Sequence, residues 1–214
     1  AVADLKGRKS GVSAPGSSTN MVANLVLSRG GLTASDVSFI GVGTAAGALA
    51  ALRSGQIDAM SNVDPVMTML EQKSEVRIIA DTRTLKGTQE VFGGPMPAGC
   101  LYAPMDFVRK HPGTCQALTN AMVHALKWLQ TAGPGDIIKA VPDNYLLGDR
   151  ALYLASFNKV REALSVDGVL PDDGARTALK ALASFDATLK ADKIELAKTY
   201  TNEFARRAKE RFKA

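Results

Sequence analysis

The chain has 214 residues, 46% hydrophobic and 22% charged, with 19 glycines and 9 prolines. That balance excludes wholesale disorder, a collagen repeat and a low-complexity linker protein, and the length allows one large domain or two small ones. The net charge of +5 is mild, and no run approaches the ~18 uninterrupted apolar residues of a membrane span.

The opening Ala1-Val2-Ala3-Asp4-Leu5-Lys6 reads as folded protein rather than as a secretory leader. Lys9 to Ala14 is predicted as a short strand. The turn Pro15-Gly16-Ser17-Ser18-Thr19-Asn20 then opens a helix over Asn20 to Ser28, with Met21, Leu25 and Val26 on one face and Gly30-Gly31 as its stop. Val37 to Val42 is the second strand. An Ala-rich helix follows over Ala45 to Arg53, closed by Gly55. Ile57 to Ser61 reads as a third strand, Pro65 to Glu71 as a short helix and Val76 to Ala80 as a fourth strand. Strands and helices alternating through short loops predict an α/β fold, a parallel sheet covered on both faces.

The pattern changes after Leu101-Tyr102-Ala103, where only helical segments are convincing. They span Met105 to Lys110, Pro112 to Gln130, Asp136 to Val141, Arg150 to Leu164, Asp172 to Leu182 and Ala191 to Phe212. Pro112 suits a first helical turn. Leu118, Met122, Ala125, Leu126 and Leu129 are expected to form the buried face of the longest of these, and Phe204, Ala208 and Phe212 make an apolar stripe on the last. The tail around that stripe is basic (Arg206, Arg207, Lys209, Arg211, Lys213) and reads as a solvated helix face rather than a nucleic-acid or anionic-surface site. The chain thus divides into an α/β part, 1–103, and an all-helical part, 104–214. Such a strandless half either bundles by itself or packs on something outside this chain.

Four segments could carry chemistry. At Ala14 to Asn20 a strand ends and a helix begins. Unpaired first-turn amides, a glycine and three adjacent hydroxyls there suit an oxyanion, while plain capping by Ser17 or Ser18 is the structural alternative. Without a lysine the turn is not a P-loop. Gly41 to Gly47 reads G-x-G-x-x-A, a weak form of the dinucleotide fingerprint without its acidic partner. Ser61-Asn62-Val63-Asp64-Pro65 lies at the carboxyl edge of the sheet, where open α/β sheets bind ligands; Asp64 could also simply cap the next helix. Phe92 to Gly99, with three glycines and two prolines, is a stiff loop at the point where the pattern switches.

Cys100 and Cys115 could pair or stay free, and neither has redox or zinc spacing. His111 and His124 have no partner at ligand spacing, so no metal and no cofactor are expected. The absence of a nucleophile–base motif disfavours an enzyme.

Residues 4 to 72 resemble the second lobe of periplasmic substrate-binding proteins of ABC importers, in the nitrate/sulfonate/taurine group. The pieces that carry the likeness are Asp4-Leu5-Lys6-Gly7-Arg8-Lys9, Gly16-Ser17-Ser18-Thr19, Gly31-Leu32 through Asp36-Val37, Ala48 to Leu52 with Gly55-Gln56-Ile57-Asp58-Ala59, and Asp64-Pro65. Asp106-Phe107-Val108 through His111-Pro112 look like the segment returning to the first lobe. The resemblance implies a periplasmic-binding-protein type II lobe followed by helices, a small anion as ligand, a permease of the inner membrane as partner, and a periplasmic location. It implies that Gly16, Ser17, Ser18 and Thr19 contact the anionic group and that Asp64 lines the cleft; Asn62 is added from its place at the strand end. It further implies that 104–214 are first-lobe helices lacking their sheet, which should expose an apolar face or bury it against a second copy as a homodimer. Effector domains of LysR-type regulators and a pyrimidine-precursor binding or synthesising relative are the alternatives.

Overall fold

The structure, a computed structural model, describes residues 1–146, 149–186 and 188–214. Three parallel strands form its sheet: β1 (Lys9–Val12) in the centre, β2 (Ser38–Gly41) on one side and β3 (Ala59–Met60) on the other. Lys9 stands opposite Ser38 and Ser10 opposite Ala59. The chain runs from β1 out to β2 and then back across β1 to β3. With crossovers of one hand, this reversal places the two connecting helices, α1 (Ser18–Arg29) and α2 (Ala46–Arg53), on opposite faces. Two clusters result. Leu27, Leu32 and Val37 gather Val2, Leu5 and Phe39 on the α1 side, whereas Ala48, Val66 and Leu70 gather Val42, Leu49, Leu52, Met60 and Val76 around α2 and α3 (Val66–Gln72). β1, covered on both faces, buries Val12 completely.

Val76 to Ala80, expected as a fourth strand, is not one. The alternation is present, but no neighbour offers a ladder: β3 pairs through two residues and only with β1. A helix unforeseen in the sequence, α4 (Leu85–Phe92), follows instead, capped by the Thr84 hydroxyl and closed by left-handed Gly93.

The helices of the second half lie close to their expected places: α5 (Met105–Lys110), α6 (Pro112–Thr131), α7 (Pro134–Ala140), α8 (Arg150–Val160) and α9 (Asp172–Phe185). The long final helix is corrected. Ala191–Lys193 and Leu196–Lys198 are single 3-10 turns, and only α10 (Glu203–Phe212) is α-helical. Asn202 breaks the run because its side chain exchanges two hydrogen bonds with the backbone of Leu170, at 2.9 and 2.8 Å. α10 lays Ala205 and Ala208 on α6, with Phe212 stacked on His124 at 4.7 Å. α8 packs on α3 and α9 on α1, so these two helices rest on the α/β half.

α6 also corrects an expectation. It buries Cys115 and Val123, while Leu118 and Met122 are 47% and 51% exposed. Of the face predicted to be buried, Leu118, Met122 and Ala125 are turned to solvent and only Leu126 and Leu129 are half-buried, because α10 covers the neighbouring face.

Candidate functional site

The carboxyl ends of the three strands converge on one edge. The Val42 and Gly43 amides donate to the Val12 and Ser13 carbonyls, and the Ser61 amide donates to the Gly11 carbonyl. The Asn62 side-chain amide reaches across to the Gly43 carbonyl at 2.9 Å. The turn after β1, the turn after β2 and the 61–64 segment are thereby fastened into one wall, at the edge where α/β sheets present ligand sites.

On this wall Gly16 adopts φ +79°, which lets the chain turn from β1 into α1. Ser17 caps the helix, its hydroxyl accepting from the Asn20 amide at 3.4 Å, and the Asn20 side-chain oxygen accepts from the Gly16 amide at 2.9 Å. The hydroxyls of Ser13, Ser17 and Thr19 form a triangle with edges of 3.0, 2.9 and 2.8 Å. The capping reading of Ser17 is therefore correct, and part of the predicted receptacle is filled by the protein's own side chains. Several donors of the turn have no acceptor among the described residues: the exposed Ser18 hydroxyl, the Ser18 and Thr19 amides, and the buried side-chain nitrogen of Asn20. Beside them, α2 begins at Ala45, which has no side chain to cap with, and residues 43–47 are exposed. Two helix N-termini thus present unpaired amides and partial positive charge at one edge.

Asp64 is engaged differently. One carboxylate oxygen accepts from the Thr68 amide at 2.8 Å, as a cap of α3, and the other pairs with Arg83 at 3.5 Å. Arg83 also meets Asp81 at 2.6 Å and Glu71 at 3.0 Å, and Lys159 of α8 closes on Glu71. The bond from Arg83 holds Asp81 below the ordinary carboxylate range, the Lys159 ammonium does the same for Glu71, and the Arg83 guanidinium is held firmly charged, first by Asp81.

The structure thus brings Gly16, Ser17, Ser18, Thr19 and Asn62 to one edge and turns the Asp64 carboxylate toward Thr68 and Arg83. Three contributors were missed. Ser13 is foreshadowed only by a hydroxyl at a strand end, Thr44 to Gly47 were weighed solely as a nucleotide loop, and Arg83 lacked any local motif. Shallow hollows lie away from this edge, lined by Leu52, Arg53 and Glu75 and by Asp143, Leu146, Asp149 and Arg150, while Ser18 and residues 43–47 of the wall face solvent. Cys100 is exposed, Cys115 buried, and both are free thiols. Among the described residues no helix is long and apolar enough to cross a membrane.

A family model described as the NMT1-like family matches residues 1–140. A solved protein from Bordetella bronchiseptica RB50 is 63% identical over 99% of the chain, with a TM-score of 0.91. The periplasmic sulfonate-binding protein SsuA of a sulfonate ABC transporter from Methylobacillus flagellatus KT is 23% identical over 100% of the chain, with a TM-score of 0.69. The alkanesulfonate-binding protein SsuA from Xanthomonas axonopodis pv. citri, bound to MOPS, is 19% identical over 97%, with a TM-score of 0.62. The chain spans 67%, 62% and 64% of these three proteins. No curated protein matches it. The fold, a small parallel sheet with many helices, is that of the SsuA-type periplasmic binding proteins.

Proposed function

We propose that this chain, which belongs to the NMT1-like family, is part of a solute-binding component of an ABC importer that captures a small anion in the periplasm and presents it to a membrane permease. The observation that carries this reading is the pair of unpaired amides at Ser18 and Thr19, flanked by the free Ser18 hydroxyl and the uncapped start of α2. Such a surface offers several donors and a favourable potential to an oxyanion without supplying any group for covalent chemistry. Gly16, Ser17, Ser18, Thr19 and Asn62 form the contact wall, and Asp64 braces it from behind. The MOPS-bound relative shares this fold, which favours a sulfonate over nitrate.

The site is one wall of a cleft. The chain spans about two thirds of its solved relatives, and Met105, Leu118 and Met122 on α5 and α6 are each about half exposed (54%, 47% and 51%). Both observations support a division in which 104–214 contains helices of a first lobe whose sheet is not in this chain. The opposite wall of the cleft would belong to that lobe, and closure of one upon the other would bury the anion.

The test is a titration of the isotope-labelled chain with methanesulfonate, followed by amide NMR, which registers the weak binding expected of one wall. Saturable shifts at Ser18 and Thr19, with Ser18→Ala weakening the response, support the reading. Shifts absent there, or unchanged by that substitution, refute it.

A further inference from the structure

Behind the wall lies an ion cluster that anion binding does not itself require. The Arg83 side chain is 14% exposed, and Asp64, its partner, is 11% exposed. The guanidinium is held by Asp81 at 2.8 Å through Nε and 2.6 Å through Nη2, by Glu71 at 3.0 Å, and by the Thr68 hydroxyl at 3.3 Å. Its backbone is fixed as tightly. The Arg83 amide donates to Asp81, the Thr88 hydroxyl donates to the Thr82 carbonyl, and Thr84 caps α4 through the Gly87 amide. Gly87 has no alternative, since a Cβ there would stand 1.7 Å from the Asp81 carbonyl oxygen. A turn locked from both sides therefore aims one long side chain inward.

We propose that Arg83 is a positioning residue: acting through Asp64, it sets the shape of the 61–68 segment that forms one side of the wall, and through Glu71 and Lys159 it couples that segment to helix α8. Three carboxylates face it, more than its charge neutralises, so it has no donor to spare for a bound anion. What its geometry supplies is a fork. One arm of the guanidinium reaches Asp64 and Thr68 at the start of α3, and the other reaches Asp81 and Glu71. A lysine there keeps the charge and loses the fork. Asp64, freed on one side, then holds the Thr68 amide less firmly, and Asn62, two residues earlier, loses its anchor point against Gly43. α8 enters the same chain of contacts because Lys159 grips Glu71, and in the 3-10 turn that follows α8, Arg161–Ala163, Glu162 accepts from the Leu85 amide at the head of α4. The value of this coupling to anion capture rests on the reading above; the geometry does not.

The experiment is hydrogen exchange at single amides in the 214-residue chain, without ligand. Arg83→Lys should speed exchange at Thr68 by about tenfold, the cost of one weakened charge-assisted bond, and move the Asn62 side-chain resonances, while the amides of α1 and α6 keep their rates. Lys159→Met, a milder change, should accelerate Thr68 less than Arg83→Lys does. Asp64→Asn combined with Arg83→Lys should exchange no faster at Thr68 than either alone, since both act on one path. Unchanged Thr68 exchange in Arg83→Lys would overturn the proposal, as would an acceleration spread evenly over the α/β half, the mark of an ordinary stabilising pair. Because no anion is present, a failed sulfonate titration and a failed exchange experiment are separate results.

Discussion

The sheet half and the α5–α6 region use the same apolar residue types to opposite ends. Around the sheet, Val12, Ala48 and Leu70 are completely buried, and Ile57 nearly so. On α6, Leu118 and Met122 repeat at helical spacing just as convincingly, yet about half of each side chain faces water, with Met105 on α5 exposed likewise. Periodicity states which residues share a face; it does not state that anything covers the face. In the first half the strands supply the cover. In the second, α10 covers one flank of α6 and leaves Leu118 and Met122 on the other exposed. Exposed contiguous apolar faces mark places where another surface belongs.

Substitutions on the two sides should separate sharply. The largest effect is expected at Leu70→Ala, which leaves a cavity between α2, α3 and the sheet and should lower unfolding free energy by about 3 kcal/mol in urea denaturation. Next comes acid. Asp81 and Glu71 have depressed folded-state pKa values through their bonds to Arg83 and Lys159, so the stability they contribute is complete above the ordinary carboxylate range and is lost as pH falls below about 4. Thermal melts should hold steady from pH 7 to 5 and decline toward pH 3, and Arg83→Met should flatten that decline. Ser17→Ala, removing the cap of α1, should cost about 1 kcal/mol. The smallest effect should come from Leu118→Gln with Met122→Gln, which should change unfolding free energy by less than about 0.5 kcal/mol in urea denaturation. A large loss of stability in that double variant would erase the distinction between the two halves.

Much of the architecture was legible because its signals are local. Gly30-Gly31 stopped α1, Pro112 opened α6, and the alternation of short strands with helices announced a parallel sheet. The failures share one cause. Val76 to Ala80 has the alternation of a strand but found no partner edge, and the last helix lost its first turns to the exchange between Asn202 and Leu170, a contact 32 residues apart in sequence. At the site, the hydroxyl-rich turn was visible as a helix start carrying three alcohols. Which alcohol stays free was not visible, since Ser17 and Thr19 are consumed by a triangle completed by Ser13 from the strand before. Arg83 was invisible for the same reason: Asp64 and Glu71 lie 19 and 12 residues away at the two ends of α3, and no pattern in the chain joins them to it.

On the proposed reading, the open amides of Ser18 and Thr19 receive a sulfonate. Crystals of the chain grown with 2-bromoethanesulfonate would test it directly, because bromine marks the ligand by its anomalous signal. Sulfonate oxygens are expected within ~3 Å of those two amides, beside the exposed start of α2. A bromine peak elsewhere, with that turn empty at saturating ligand, would contradict it.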